Sequence, residues 1–150
     1  MKTISEILRE YETDKNKSTR PGYPGHSYGP PYDEIFEQFD RDGSLNFLEI
    51  GVQQGPSLWA WSDYFTNATI YGVDIQDTRT GRYKEKRKNI NFILSDIKDP
   101  ALKERFSNTK FDIIIDDGSH ILSDVLNVVD NYLDTLNTGG VLIVEDCQHP

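Results

Sequence analysis

The chain has 150 residues, 36% of them hydrophobic and 27% charged, a composition typical of one folded domain and not of a fibre or a disordered tail. No apolar run approaches the ~20 residues of a membrane helix, and the first residues lack a signal-peptide core. The net charge of -9 argues against nonspecific nucleic-acid binding. The single cysteine, Cys147, excludes an internal disulfide and a cysteine-based zinc cluster, so we expect a cytoplasmic protein.

Charge is unevenly distributed along the chain. Residues 111–150 carry eight carboxylates and no Lys or Arg, so this segment either faces water or holds a cation. The sign reverses between Arg79 and Lys88, where six basic residues fall in a short segment. A solvated surface is the plainer interpretation of that basic segment, and steering of an anionic ligand is the alternative.

Residues 1–42 are predicted to form two short helices and a loop. The sequence from Thr3 to Glu6 fits a capping box, and apolar residues with helical spacing follow it. Four of the seven prolines and three glycines fall in Arg20–Tyr32, which predicts a loop. A second amphipathic helix is predicted after it, with Pro31 near its first turn and Tyr32, Ile35, Phe36 and Phe39 on its apolar face.

Residues 43–150 alternate between strand-like and helix-like segments. The strands are predicted at Phe47–Ile50, Ile70–Val73, Phe92–Leu94, Phe111–Ile115 and Val141–Val144. Helices are predicted over residues 58–65, 100–106 and 122–136, the last ended by Gly139 and Gly140. This alternation predicts an α/β domain with a mostly parallel sheet. The continuously apolar fourth and fifth strands are typical of strands covered on both faces.

Every predicted strand ends in polar or glycine-rich residues. In an open parallel sheet, ligands bind beyond the carboxyl ends of the strands. We therefore expect the functional site among these groups. They are Glu49–Gly55, Asp74, Ser95–Asp96, Asp116–His120 and Glu145–Asp146.

Two features of this edge point towards nucleoside binding. Gly51 and Gly55 allow a sharp turn and a close approach to a ligand, although turns use glycine routinely. Asp74 follows the second strand, where a carboxylate accepts hydrogen bonds from ribose hydroxyls, and a strand-end turn residue is its alternative role. The spacing is not G-x-G-x-x-G, which makes a nicotinamide-dependent oxidoreductase a distant third hypothesis.

These residues resemble the class I S-adenosylmethionine-dependent methyltransferases. Glu49-x-Gly51-x-x-x-Gly55 matches the first motif of that family, and Asp74 matches its ribose-binding acid. Longer stretches resemble the macrolide-sugar O-methyltransferases of the mycinamicin type and a related group known as cephalosporin hydroxylases. Those stretches are Glu12–Lys15, His26–Tyr32, Leu48–Val52, Tyr71–Ile75, Phe111–His120 and Gly139–Asp146.

The resemblance implies a Rossmann-like fold with strand order 3-2-1-4-5 and a divalent metal, usually Mg²⁺, beside the methyl donor. The implied metal ligands are Asp117, Glu145 and Asp146, and the implied base is His120. The implied donor contacts are Thr13, Tyr28, Glu49, Gly51, Gly55, Asp74, Ser95, Asp96 and Asp116. The fold of such enzymes continues for two more strands, so we expect the fifth strand to form an exposed edge. A second copy, a longer natural chain or a minimal or decayed enzyme would each account for that edge.

Elementary electrostatics supports the metal. Two carboxylates about 4 Å apart repel by roughly 4 kcal/mol at an effective dielectric constant of about 20, and a bound cation removes that cost. An all-oxygen ligand set suits Mg²⁺, Mn²⁺ or Ca²⁺. Separately solvated acids, or Asp117 as a helix cap, are the alternatives. His120 lies three residues beyond Asp117, within reach of a metal-bound hydroxyl, although a histidine at a helix start also bonds backbone or water.

The leading hypothesis is a metal-dependent O-methyltransferase acting on a hydroxyl of a sugar or small natural product. The alternative is a non-catalytic module that binds S-adenosylmethionine. In both cases we expect no nucleic-acid or membrane partner. Three further assignments are weaker: His26 on the substrate side of the proline-rich loop, His149 as a terminal residue, and Trp59 and Trp61 as packing residues.

Overall fold

The computed structural model describes residues 1–16, 21–22 and 24–147. The helices are α1 (Ile4–Glu10), α2 (Gly29–Phe36), α3 (Pro56–Tyr64), α4 (Pro100–Arg105) and α5 (Leu122–Tyr132). The strands are β1 (Asn46–Ile50), β2 (Thr69–Asp74), β3 (Ile90–Leu94), β4 (Phe111–Asp116) and β5 (Leu136–Val144). Within the described ranges, none of the helices has the length and apolar character that a bilayer crossing requires.

The five strands form one parallel sheet in the order β3-β2-β1-β4-β5, which confirms the predicted fold class. The chain reverses its direction of travel across the sheet between β3 and β4, so the switch point lies between β1 and β4. Carboxyl ends of all five strands therefore meet at one edge, with the β1 and β4 ends at its centre.

Apolar residues alternate along the central strands and fill both faces of the sheet. Phe47 of β1 packs in the cluster with α1, α2 and α3, whereas the next residue, Leu48, packs in the cluster with α4 and α5. In β4, Ile113 packs in the first of these clusters and Ile114 in the second. This two-sided burial explains the apolar run Ile113–Ile115 in β4.

The N-terminal helices pack on the first of these clusters. Thr3 and Glu6 form the predicted capping box at the start of α1. Helix α2 begins at Gly29, because Pro30 and Pro31 fit the first helical turn, where no backbone N–H is needed. The predicted loop of residues 20–32 was therefore too long at its carboxyl end, and its residues 20 and 23 lie outside the described ones.

One prediction about the last elements was wrong, and another held only in part. Helix α5 ends at Tyr132 and not near Gly139, because a short 3₁₀ turn follows and Leu136 pairs with Phe111 in the sheet. Gly139, with φ +81°, instead lies in a register shift of β5 opposite residues 111–113. Strand β5 is covered on both faces only in part: Val141 and Ile143 pack against the first cluster and Leu142 against the second, but residues 141–144 are only half-buried at this sheet edge.

Candidate active site

A cavity of about 300 Å³ opens at the carboxyl ends of β1 to β4. It has an apolar floor, formed by Ile50, Val73 and Val128, and a polar rim. The rim contains seven of the predicted site residues, namely Gly51, Asp74, Ser95, Asp96, Asp116, Asp117 and His120. Residues that follow four different strands thus meet around one space, as the strand-end pattern predicted.

Gly51 is the point where the loop after β1 touches the end of β4. Its φ is +83°, and a Cβ placed there would lie 2.0 Å from the backbone oxygen of Asp117. Its N–H donates to the Val73 carbonyl at 2.9 Å. No other residue fits this crossing, so the glycine prediction has a steric cause at this position.

Asp74 fastens the glycine-rich loop to the end of β2. Its Oδ2 accepts hydrogen bonds from the N–H groups of Val52, at 2.8 Å, and Gln53, at 3.1 Å. Its Oδ1 accepts from the N–H of Gln76 at 3.1 Å. The carboxylate is thus held in place at the cavity rim by three backbone amides, and carboxylate oxygens keep further lone pairs for a ligand.

The remaining predicted donor contacts differ in exposure. Ser95 is half-buried and Asp96 is exposed, and the Asp96 Oδ1 accepts from the Lys98 N–H at 2.9 Å. Asp116 is buried, which raises the pKa of its carboxyl group, and it accepts a hydrogen bond from the Gly118 N–H. The cavity therefore offers exposed polar groups at the β3 side and a buried acid at the β4 side.

Four predicted donor contacts do not line this cavity: Gly55 and Glu49, and also Thr13 and Tyr28 of the N-terminal segment. Gly55, with φ +94°, faces away from it, since a Cβ there would lie 3.0 Å from the Tyr83 Cβ. Glu49 is fully buried beneath the site; its Oε2 accepts from the Ser57 hydroxyl at 2.9 Å, and its Oε1 lies 3.5 Å from the Lys15 Nζ. Burial raises the pKa of Glu49 to about 8, reinforced by nearby carboxylates and opposed by Lys15.

Asp117, His120 and Asp146 bring one ligand atom each to within 4.8 Å of one another. The His120 Nε2 lies 3.7 Å from the Asp117 Oδ1 and 3.9 Å from the Asp146 Oδ2. We call these three residues the acid–imidazole cluster. His120 and Asp146 both adopt positive φ values, +60° and +51°, which are costly for residues with a side chain and concentrate at functional positions.

Glu145 lies outside that cluster. Its Oε2 accepts from the Lys15 Nζ at 2.9 Å, and its Oε1 accepts from the Tyr32 hydroxyl. Burial raises the pKa of the Glu145 carboxyl group. Of the three predicted metal ligands, the structure brings two together with the predicted base and turns the third towards the N-terminal segment. Asp117 also does not cap α5, whose N-cap is Ile121.

Lys15 falls in the stretch Glu12–Lys15 that carries the resemblance, but the sequence did not reveal that it pairs with the acids of this site. Its ammonium group is buried and pairs with Glu49, Asp117 and Glu145. The repulsion that favoured a metal is therefore partly relieved by an internal cation. The absence of Lys and Arg from residues 111–150 could have indicated this, because the acids of that segment need a cation that the segment itself does not contain.

The N-terminal segment supplies further contacts at the same edge. Thr13 is buried and lines a second, adjacent cavity of about 230 Å³ with Lys15, Gly51 and Asp117. The Tyr28 hydroxyl donates to the Asp146 carboxylate. His26 stacks on Tyr28 with its Nε2 3.5 Å from the Asp146 Oδ2, whereas His149 lies outside the described residues.

The basic segment between Arg79 and Lys88 is largely engaged in local surface contacts. Arg79 pairs with Asp77 and lies over the Phe92 ring, and Arg87 pairs with Asp63. Of the two tryptophans, Trp61 is fully buried and Trp59 is half-buried, with Arg82 and Arg87 over its ring. These contacts favour the plainer interpretation of the basic segment.

Residues 48–147, which are 100 of the 150 residues, match the methyltransferase domain family. The chain belongs to this family. The match covers all five strand ends and the acid–imidazole cluster, so the family and the site occupy the same part of the chain.

Relatives of this methyltransferase-domain chain act on sugars of natural products. It is 36% identical over 132 residues to 8-demethyl-8-alpha-L-rhamnosyl tetracenomycin-C 2'-O-methyltransferase of Streptomyces olivaceus, covering 82% of this chain and 34% of the relative. It is 34% identical over 152 residues to mycinamicin VI 2''-O-methyltransferase of Micromonospora griseorubida, covering 95% and 35% respectively. The chain therefore spans about a third of the length of these curated relatives.

A solved structure extends the likeness to three dimensions. The MycE methyltransferase, in complex with Mg, SAH and mycinamycin VI, superposes with a TM-score of 0.80 at 30% identity. The superposition covers 97% of this chain and 39% of MycE. The sheet order and the family predicted from the sequence are thus confirmed.

Proposed function

We propose that this chain is an S-adenosylmethionine- and Mg²⁺-dependent O-methyltransferase whose acceptor is a hydroxyl group of a sugar. The observation that carries the proposal is the acid–imidazole cluster, two of whose members, Asp117 and His120, line the same cavity as Asp74. The relatives support the sugar acceptor, because both named above are sugar O-methyltransferases. A cytoplasmic reaction without nucleic acid or membrane is part of the proposal.

The residues present fit a divalent cation. Asp117 and Asp146 offer carboxylate oxygens, the donors that Mg²⁺ prefers, and one atom of each lies within 4.8 Å of the other. Glu145 could bind the same cation, as predicted, only if it gave up its hydrogen bonds with Lys15 and Tyr32. When bound, the cation supplies positive charge that makes an adjacent hydroxyl more acidic.

The chain's own groups divide the remaining work. We assign Asp74 to the ribose hydroxyls and Ser95 and Asp96 to the adenine edge, and His120 lines the same cavity. In the transfer, the bond from sulfur to the methyl carbon breaks as the bond from that carbon to the acceptor oxygen forms. The hydroxyl proton passes to His120, where Asp117 and Asp146 attract the positive charge the ring acquires.

The test measures donor binding and turnover separately. Calorimetry with S-adenosylhomocysteine, with and without Mg²⁺, reports binding. Methyl transfer is then assayed with mycinamicin VI and the rhamnosyl tetracenomycin as acceptors. We expect His120→Ala to lower turnover by roughly 10²–10⁴-fold, the usual contribution of a general base, while donor affinity stays the same. Ile121→Ala, at the exposed neighbour, is the control.

Two outcomes would contradict the proposal. Donor binding without turnover on any sugar acceptor would favour the non-catalytic module. Absence of donor binding would remove both hypotheses. A homo-oligomer covering β5 stays a prediction, to be measured by sedimentation at several protein concentrations.

A further inference from the structure

Lys15 is buried among three carboxylates from three different strand ends. Its side chain is 2% exposed, and its Nζ lies 3.5 Å from the Glu49 Oε1 and 2.9 Å from the Glu145 Oε2. The same ammonium group donates to the Asp117 Oδ2. One cation from the N-terminal segment thus joins β1, the residue after β4 and the residue after β5.

The charge of Lys15 has a clear electrostatic basis. The Asp117 and Glu145 carboxylates accept hydrogen bonds from the Lys15 Nζ and compensate for its burial, so the side chain is an ammonium ion. An ammonium ion in the protein interior is stable only where anionic partners compensate for lost hydration. Lys15 therefore does for these acids what a bound metal ion would otherwise do.

The two oxygens of Asp117 face opposite partners. Oδ2 accepts from Lys15, while Oδ1 is the oxygen that lies 3.7 Å from the His120 Nε2. A carboxylate held at one oxygen by a buried ammonium has a fixed rotation, so the position of its other oxygen is fixed as well. The contact with Lys15 thus sets the geometry on the His120 side.

We propose that Lys15 is a built-in cation that positions Asp117 for the acid–imidazole cluster. This role rests on the proposed function of that cluster. Lys15 itself contacts neither His120 nor Asp146 among the described interactions, so it is a positioning residue. The competing explanation is that Lys15 only fills space in the interior.

The experiment replaces Lys15 by methionine, which has a similar length and no charge. We expect Lys15→Met to lower the Tm by on the order of 10 °C without metal, because it leaves buried carboxylates uncompensated. Mg²⁺ should raise the Tm of the variant by more than it raises that of the wild-type chain. Calorimetric titration with Mg²⁺ alone should count an additional bound ion, held by Asp117 and Glu145 in place of the ammonium group.

The matched control is Lys98→Met. Lys98 is an exposed lysine that also pairs with a carboxylate, the Oδ1 of Asp124 at 3.0 Å. We expect this variant to keep the Tm, the response to Mg²⁺ and the ion count of the wild-type chain. A lysine that only fills space would lower the Tm of Lys15→Met without changing its response to Mg²⁺ or its ion count, and that result would overturn the proposal.

A second variant keeps the test decisive if Lys15→Met does not fold. Lys15→Met/Glu49→Gln removes one carboxyl group together with the ammonium, so it should fold more stably than the single variant and still bind the additional Mg²⁺ ion. Failure of the double variant to fold even with Mg²⁺ would also overturn the proposal. Because no donor is used, these results are independent of S-adenosylhomocysteine binding by the wild-type chain, which tests the proposed function.

Discussion

At the carboxyl edge of the sheet, acids at the ends of β2 and β3 accept hydrogen bonds from backbone amides of the turns after β1, β2 and β3, whereas acids after β4 and β5 accept from side chains of the N-terminal segment. The first region, which we call the donor half, contains Gly51, Asp74, Ser95 and Asp96. The second, the acidic half, contains Asp117, His120, Glu145 and Asp146. The donor half is fixed by the turns that follow its own strands.

The acidic half depends on contacts between distant parts of the chain. Lys15 reaches Asp117 and Glu145 across 102 and 130 residues, and Tyr28 reaches Asp146 across 118. The orientation of its acidic side chains therefore depends on the N-terminal segment. Under the proposed function, donor binding and catalysis should therefore depend on different sets of contacts, and the following variants test that separation.

The largest effect is expected from Gly51→Ala, at the contact between the two halves. The new Cβ would lie 2.0 Å from the Asp117 backbone oxygen, so the loop or the end of β4 must move, and we expect a loss of more than about 4 kcal/mol in the free energy of unfolding. Gly139→Ala is the matched control, with φ +81° and no atom within 4 Å of the new Cβ. For Gly139→Ala we expect the free energy of unfolding to fall by only roughly 1–2 kcal/mol, the cost of a left-handed backbone conformation for a residue with a side chain.

Urea unfolding of both variants measures this difference. Equal losses would mean that backbone strain and not the contact with Asp117 determines the effect. In that case the two halves would be less tightly joined than the structure indicates.

The second prediction concerns the donor half alone. Asp74→Ala removes a carboxylate that is fixed by three backbone amides at the cavity rim, and we expect S-adenosylhomocysteine to bind about 10–100-fold more weakly, which corresponds to one or two lost charge-assisted hydrogen bonds. Asp96→Ala, at the exposed β3 side, should change the affinity less. Calorimetry gives both constants, and a larger effect of Asp96→Ala would show that our assignment of the ribose site is wrong.

The third prediction concerns the acidic half. Tyr32→Phe removes the hydroxyl that donates to the buried Glu145 carboxylate, so we expect a loss of about 2 kcal/mol in stability. Tyr28→Phe removes the matching donor to Asp146, whose side chain is 24% exposed, and water can replace it. Its loss should stay below about 1 kcal/mol. Thermal unfolding compares the two, and equal losses would contradict the difference in burial.

The donor half could be predicted from the sequence because its determinants are local. Apolar strand segments followed by Gly51, Asp74 or Asp96 indicate which residues lie at the carboxyl edge of a parallel sheet. The end of α5 could not be located in the same way. Leu133 and Leu136 continue the helical spacing of α5, yet tertiary pairing with Phe111 places Leu136 in a strand.

The arrangement of the acidic half could be predicted only in part. The sequence placed Asp117, His120 and Asp146 at neighbouring strand ends, and the structure groups them. The sequence did not show that Lys15 and Tyr32 donate hydrogen bonds to Glu145, because no local pattern links residues more than 100 positions apart. A carboxylate-rich segment indicates a need for positive charge, but not whether a metal or a lysine meets it.

A pH dependence of stability joins the two halves through Glu49. Its pKa rises from an ordinary value of 4.5 to about 8 on folding, chiefly because of burial. Between those values the folded chain holds a proton that the unfolded chain has lost. The stability contributed by this proton is complete below pH 4.5 and declines towards pH 8, by up to about 1.4 kcal/mol per pH unit. Urea unfolding across this range should show a shallower decline for Glu49→Gln.

Gly139→Ala is the control over the same pH range, because it is less stable than the wild-type chain but keeps every titrating group. Its stability should therefore decline with pH at the same slope as that of the wild-type chain. Parallel curves for the wild-type chain and Glu49→Gln would mean that Glu49 is ionised in the folded state. The attraction of Lys15 for the Glu49 carboxylate would then be stronger than the effect of burial on the pKa of Glu49, and Lys15 would pair with three charged acids. A shallower curve for Glu49→Gln would instead mean that Glu49 is protonated in the folded state. The Lys15 ammonium group would then form ion pairs only with Asp117 and Glu145, because a protonated Glu49 carries no charge.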